Sequence, residues 1–114
     1  MAKKENNKMM QELKCANDLD SLGNPAGGIV DGVGIKIQWQ SGPLGRDENR
    51  IQPNGAFVEG VIKAALQRIE HYQSTQFKCR ENALAITKLE EALHWLDSRT
   101  KNREARKVEG THSV

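Results

Sequence analysis

The sequence predicts an α+β protein: a small antiparallel β-sheet or hairpin followed by a long antiparallel αα hairpin, the whole assembling as a homo-oligomer. Nine of the ten glycines lie between Gly23 and Gly60, together with Pro25, Pro43 and Pro53, and such residues punctuate turns and short strands. From Val61 to Glu109 there is neither glycine nor proline, and the segment is rich in Ala, Leu, Glu, Lys and Arg, the strong helix formers. Between these regions Ile35, Ile37 and Trp39 alternate with Lys36, Gln38 and Gln40, the period-two pattern of a half-buried strand.

A chain of 114 residues is expected to form one domain. It divides into a polar N-terminal arm or short helix (1–22), a β-hairpin and loop (23–53), the αα hairpin (54–106) and a C-terminal tail (107–114). Met9, Met10, Leu13 and Leu19 give the first part only loosely helical spacing. Asp31-Gly32, set between apolar residues, is the cue for a two-residue hairpin turn. Asn54 follows Pro53 and is the expected N-cap of a first helix over 55–73. Its apolar positions Val58, Val61, Ile62, Ala65, Leu66, Ile69 and Tyr72 recur at three- and four-residue intervals.

Ser74-Thr75 interrupts that pattern with two capping residues, so a second helix is expected over 76–106. So short a connection makes the two helices antiparallel neighbours. On the second helix Ile86, Leu89, Leu93 and Leu96 form one stripe, while Ala85, Ala92 and Trp95 form another. The first stripe is expected to meet the first helix. The second, small residues beside a large aromatic, is expected to meet another copy of the chain, or else the N-terminal sheet.

The net charge of +2 is too small for a broad nucleic-acid face, so nucleic acid is not the expected partner. Charge is nevertheless uneven: Arg99 to Lys107 carries five basic residues against Glu104 alone. Two lone cysteines, Cys15 and Cys79, have no metal-type spacing. Those cysteines, with no apolar signal-like segment at the N-terminus, point to a reducing cytoplasm, and with no apolar run near the roughly 20 residues that span a bilayer no membrane partner is expected.

Arg99, Arg103 and Arg106 fall at i, i+4 and i+7 and share a helix face with no acid four residues earlier. Such a row is either a solvated basic helix end, favoured by the macrodipole, or a set of planar forks for phosphate oxygens. Arg46 stands in the glycine- and proline-flanked loop Gly42-Pro43-Leu44-Gly45, where a guanidinium and backbone groups can meet an anion. Tyr72 offers a ring for stacking, and Asn82 a donor and acceptor for a base edge. Catalysis is not expected, nor any metal or cofactor. His71, His94, His112 and Cys79 lack a recognised ligand or nucleophile arrangement, and the spacing of His94 from Glu90 and Glu91 points to a surface ion pair.

Four blocks carry a resemblance: Ile37-Gln38-Trp39-Gln40-Ser41-Gly42-Pro43-Leu44-Gly45-Arg46; the run from Pro53 to Ile62; that from Cys79 to Leu96; and that from Arg103 to Thr111. Over residues 35–114 the chain resembles the phage Thoeris anti-defence sponges of the first described type, which share a helical hairpin with anti-CBASS sponges. The resemblance implies a protein acting in the infected host's cytoplasm that sequesters glycocyclic ADP-ribose, the messenger of bacterial TIR-domain enzymes, without cleaving it. It also implies dimers or hexamers, and in some members separate sites for cyclic di- and trinucleotides. The ligand contacts it implies are Arg46, Tyr72, Asn82, Arg99 and Arg103, with Tyr72 standing where phenylalanine would serve equally for stacking. Residues 1–34 receive no role. The alternative reading is a helical-hairpin regulator of nucleic acid or of a protein partner.

Overall fold

The computed structural model describes residues 12–114. It contains strands β1 (Lys14–Leu19), β2 (Pro25–Gly32) and β3 (Ile35–Ser41), then helices α1 (Val58–Gln73) and α2 (Arg80–Ala105). A short 3-10 turn, Asp47–Asn49, interrupts the loop between β3 and α1. The α+β class is as expected, and the sheet has three antiparallel strands in the order β1-β2-β3.

The third strand comes from a segment read as an arm or short helix. Residues 14–19 pair with β2, Cys15 opposite Val30 and Ala16 opposite Ile29; the rest of that expectation, including Met9 and Met10, lies outside the described residues. The strand is exposed along its whole length, so it carries no inward-outward alternation for a sequence reading to detect. Where β1 meets Gly28 the backbones crowd: a Cβ there would lie 2.2 Å from the Ala16 carbonyl oxygen, and φ is +146°. Only glycine fits such an approach.

The hairpin turn falls two residues later than expected. Asp31 and Gly32 belong to β2, opposite Lys36 and Ile35, and Val33-Gly34 makes the turn, with Gly34 at φ +77°. This register places Val30 opposite Ile37 and Asp31 opposite Lys36, joining an apolar and an opposite-charge pair that a turn at 31–32 would break. Val30, at 8% exposure, is the one buried apolar side chain among the described residues.

Both helices are shorter at their starts than the sequence predicts, because their expected caps serve elsewhere. The Asn54 side chain bonds the Ser41 backbone, accepting from Ser41 N at 2.8 Å and donating to Ser41 O at 3.1 Å. Helix α1 therefore begins at Val58, with Phe57 in the cap position. Ser74 and Thr75 donate to the His71 and Tyr72 carbonyls, each at 2.6 Å, closing the end of α1 instead of opening α2. The α2 cap is Cys79, whose Sγ accepts from Asn82 N at 3.4 Å. Gln73 brackets the connection, bonding both Cys79 N and Cys79 O at 3.0 and 2.9 Å.

The helices pack against each other, but among the described residues no strand backbone runs close against either helix. Ile86, Leu89, Leu93 and Leu96 are half-buried, as are Val61, Ile62, Leu66 and Ile69. The rest of the predicted α1 stripe, Val58, Ala65 and Tyr72, is exposed, and Trp95 is 69% exposed. The expected partnership of His94 with Glu90 or Glu91 gives way to a ring contact with Trp95 at 5.4 Å, while Glu91 pairs with Lys88 at 3.7 Å. The radius of gyration is 17.5 Å, against about 13 Å for a compact chain of this size.

Sheet and hairpin are joined by a backbone seam. Gln40 N donates to Ala56 O at 2.9 Å and Ala56 N to Gln38 O at 2.7 Å, making a parallel bridge between Trp39 and Ala56. Between them Gly55 lies so close that a Cβ would come within 2.5 Å of the Trp39 carbonyl carbon. Replacing Gly28 by alanine is expected to lower the unfolding free energy by about 2 kcal/mol, since β1 must move off β2. Urea denaturation of the variant beside the parent chain measures this.

Candidate functional site

The seam holds the sheet edge beside the last turns of α2, and an open groove of about 920 Å³ lies between them. Arg99 and Arg103 line it from α2 and Arg106 from its C-cap, with Trp39 on β3 and Phe57 at the head of α1. The tail adds Thr111, His112, Ser113 and Val114, the sheet side adds Asn17, Asn24 and Gly27, and Glu59 is the one acidic residue of the lining. Three guanidiniums beside an indole and peptide groups form a surface that can take both a phosphate and a planar base.

The tail is held there by Arg103. Its Nη2 donates to the Val108 and Thr111 carbonyls at 3.1 and 3.0 Å, and its Nη1 to the Val114 oxygen at 3.3 Å. Arg106 Nη2 donates to the same Val114 oxygen at 2.9 Å. Arg103 is half-buried, while Arg99 and Arg106 are exposed. Arg103 thus shapes the groove as well as charging it.

Arg46 works from the other side of the tail, its Nη1 donating to the Glu109 carbonyl at 3.0 Å. Gly45 N donates to Gly110 O at 2.8 Å. Arg50 Nη1 meets the Glu109 carboxylate at 2.6 Å and the Gly45 carbonyl at 3.1 Å. The hydrogen bond from Arg50 holds the Glu109 carboxyl below the usual glutamate range, and the Arg50 and Arg46 charges add to the effect. The glycine-flanked loop and the tail therefore form one clamped unit behind the groove.

Tyr72 and Asn82 lie elsewhere. Both sit at the connection between the helices, whereas Arg99 is 17 residues beyond Asn82 along α2, about 25 Å at 1.5 Å per residue. Tyr72 is 42% exposed. Arg68 covers one face of its ring at 4.9 Å and donates from Nε to its hydroxyl at 3.2 Å. Within one chain the five sequence-selected residues therefore separate: Arg99 and Arg103 in the groove, Arg46 behind it, Tyr72 and Asn82 at the far end.

Trp39 and Arg106 line the groove but are not among the five ligand contacts expected from the sequence. Arg106 belongs to the arginine row already noted, so spacing alone could have included it. Trp39 was legible only as a strand residue, because its place beside the arginines depends on the seam.

Among the described residues no group of three or more His, Cys, Asp or Glu side chains could hold a metal ion, and no helix is long and apolar enough to cross a membrane. A short sheet tied to an αα hairpin, with arginines facing the sheet edge, defines a helical-hairpin protein with a cationic groove. Residues 31–101 match the Acb2/Tad1 hairpin domain. Over 76 residues the chain is also 56% identical to the protein named Thoeris anti-defense 1 of Bacillus phage SBSphiJ7. That match covers 67% of this chain and 51% of the relative, so it spans about half of the relative's length. The chain belongs to the Acb2/Tad1 hairpin family.

A carboxyl held below its usual range stabilises the fold above the unfolded value of 4.5, and that contribution is lost as pH falls through the lower folded value. The loop-tail clamp should accordingly loosen as pH drops below 4.5. Hydrogen exchange at the Gly45 and Thr111 amides, corrected for intrinsic rates, is expected to show the loss, and Glu109→Gln is expected to remove its pH dependence.

Proposed function

We propose that this chain is a non-catalytic anti-defence sponge that binds and withholds a cyclised nucleotide immune signal, glycocyclic ADP-ribose first and cyclic di- or trinucleotides second. The observation that carries this reading is the arginine groove: Arg99, Arg103 and Arg106 line one cleft together with Trp39. Arg103 and Arg106 already bond tail oxygens, whereas Arg99 is exposed in the groove, and guanidinium forks suit the oxygens of a pyrophosphate. The relative's printed name, Thoeris anti-defense 1, from a Bacillus phage, supports an anti-defence role in an infected cell.

The separation of the five residues within one chain shapes the proposal. Tyr72 and Asn82 can serve the same ligand as Arg99 and Arg103 only if a second copy brings its hairpin connection to this chain's groove. The exposed surfaces that such a copy would cover are present, namely Trp95 at 69%, Val58 at 50% and Tyr72 at 42% exposure. We therefore read the sponge as a homo-oligomer, a dimer or a hexamer, whose sites lie between copies.

Calorimetric titration with glycocyclic ADP-ribose is expected to show saturable uptake, and heating the complex is expected to release the ligand intact. Recovery of cleaved product alone would identify an enzyme instead. Arg99→Ala and Arg103→Ala should each weaken binding by about ten- to a hundredfold, the worth of a charge-assisted hydrogen bond, while light scattering shows the assembly unchanged. Mixing Asn82→Ala chains with Arg103→Ala chains should restore some tight sites, because one shared site then draws each intact residue from a different copy. If the mixture binds no better than either variant alone, the sites do not lie between copies.

A further inference from the structure

Phe57 and Trp39 are aromatic residues of the groove lining, and of the two Trp39 offers the larger and more electron-rich face. It lines the groove with Arg99, Arg103 and Arg106, whereas Trp95 lies 69% exposed on α2 and the Tyr72 ring is already covered on one face by Arg68. Its backbone is fixed more firmly than that of an ordinary edge-strand residue. The Gln40–Ala56 and Ala56–Gln38 hydrogen bonds flank it at 2.9 and 2.7 Å, and Gly55 presses on its carbonyl group. Across the sheet its partner is Gly28, where crowding against Ala16 forbids a side chain. No neighbouring side chain on β2 therefore stands opposite the indole.

Half-burial is what a recognition ring needs: enough contact to hold its orientation, and enough open surface to receive a planar partner. Trp39 is half-buried, short of the burial of Val30. An electron-rich ring beside guanidiniums is the surface on which a heteroaromatic base stacks while its phosphates are neutralised. We propose that Trp39 is a second base-stacking residue, receiving one face of the purine of a nucleotide whose phosphates meet Arg99 and Arg103 of the same chain. This inference rests on the nucleotide-binding reading above and adds to it a further residue that recognises the base. Because a purine has two faces, Trp39 does not compete with Tyr72 of a second copy.

The test compares the full parent chain with Trp39→Phe, so that the Trp39 signal is the difference between the two emissions. Titration with glycocyclic ADP-ribose is expected to quench Trp39 fluorescence with the same midpoint that calorimetry gives. Inorganic pyrophosphate, which has no base, is expected to bind weakly without that quenching. Trp39→Leu, which keeps apolar bulk but cannot stack, should weaken nucleotide binding about tenfold, while Trp39→Phe keeps most of it. Calorimetric saturation with unmoved Trp39 fluorescence, quenching by pyrophosphate alone, or parental affinity in folded Trp39→Leu each overturns the stacking role and leaves the sponge reading intact. Absence of any uptake by the parent chain overturns both.

Discussion

The seam between β3 and residues 54–56 is the constraint on which the rest of this molecule depends. No strand backbone runs close against either helix among the described residues, so the placement of Trp39 relative to the arginines leans on a few backbone hydrogen bonds and the close approach of Gly55. Asn54 reinforces the junction by turning its amide to Ser41. That choice costs α1 a side-chain cap, a loss of about 1 kcal/mol in typical helices. The local preference yields because joining the two units matters more than one extra turn of helix.

A second tie, between loop and tail, completes the groove. Arg46, Arg50 and Arg103 all direct guanidinium donors at the segment 108–114 or its neighbours. Their positive charges gather around Glu109, one acidic side chain, and a series of carbonyl oxygens. Within the basic run from Arg99 to Lys107, Arg103 and Arg106 thus serve the tail in the first instance, and Arg99, exposed and in the groove, is left freer to meet an incoming anion. Charge counted along the sequence does not distinguish these uses.

The broad plan was legible because it rests on strong local signals. Glycine and proline are confined to the front half, Ile35, Ile37 and Trp39 alternate, and the Leu stripe of α2 predicts its contact with α1. Strand β1 was not legible, since every residue in it is exposed and its pairing is held by backbone rather than by pattern. The cap errors at Asn54 and Ser74-Thr75 share one cause. A side chain that can cap the next helix can equally bond a neighbouring strand or close the preceding helix, and tertiary context decides. For the site, the arginine row was visible at helical spacing, but the distance between that row and Tyr72 with Asn82 follows from the length of α2. The arrival of Trp39 beside the arginines follows from a seam that leaves no mark in periodicity.

The grip of Arg103 on the tail has an arithmetic consequence. A guanidinium carries five N–H donors in a fixed plane, and here three of them reach the Val108, Thr111 and Val114 oxygens. Two remain. The residue therefore has spare valence for an outside oxygen while still fastening its own backbone, so occupancy of the cleft and integrity of its wall need not be exchanged for one another.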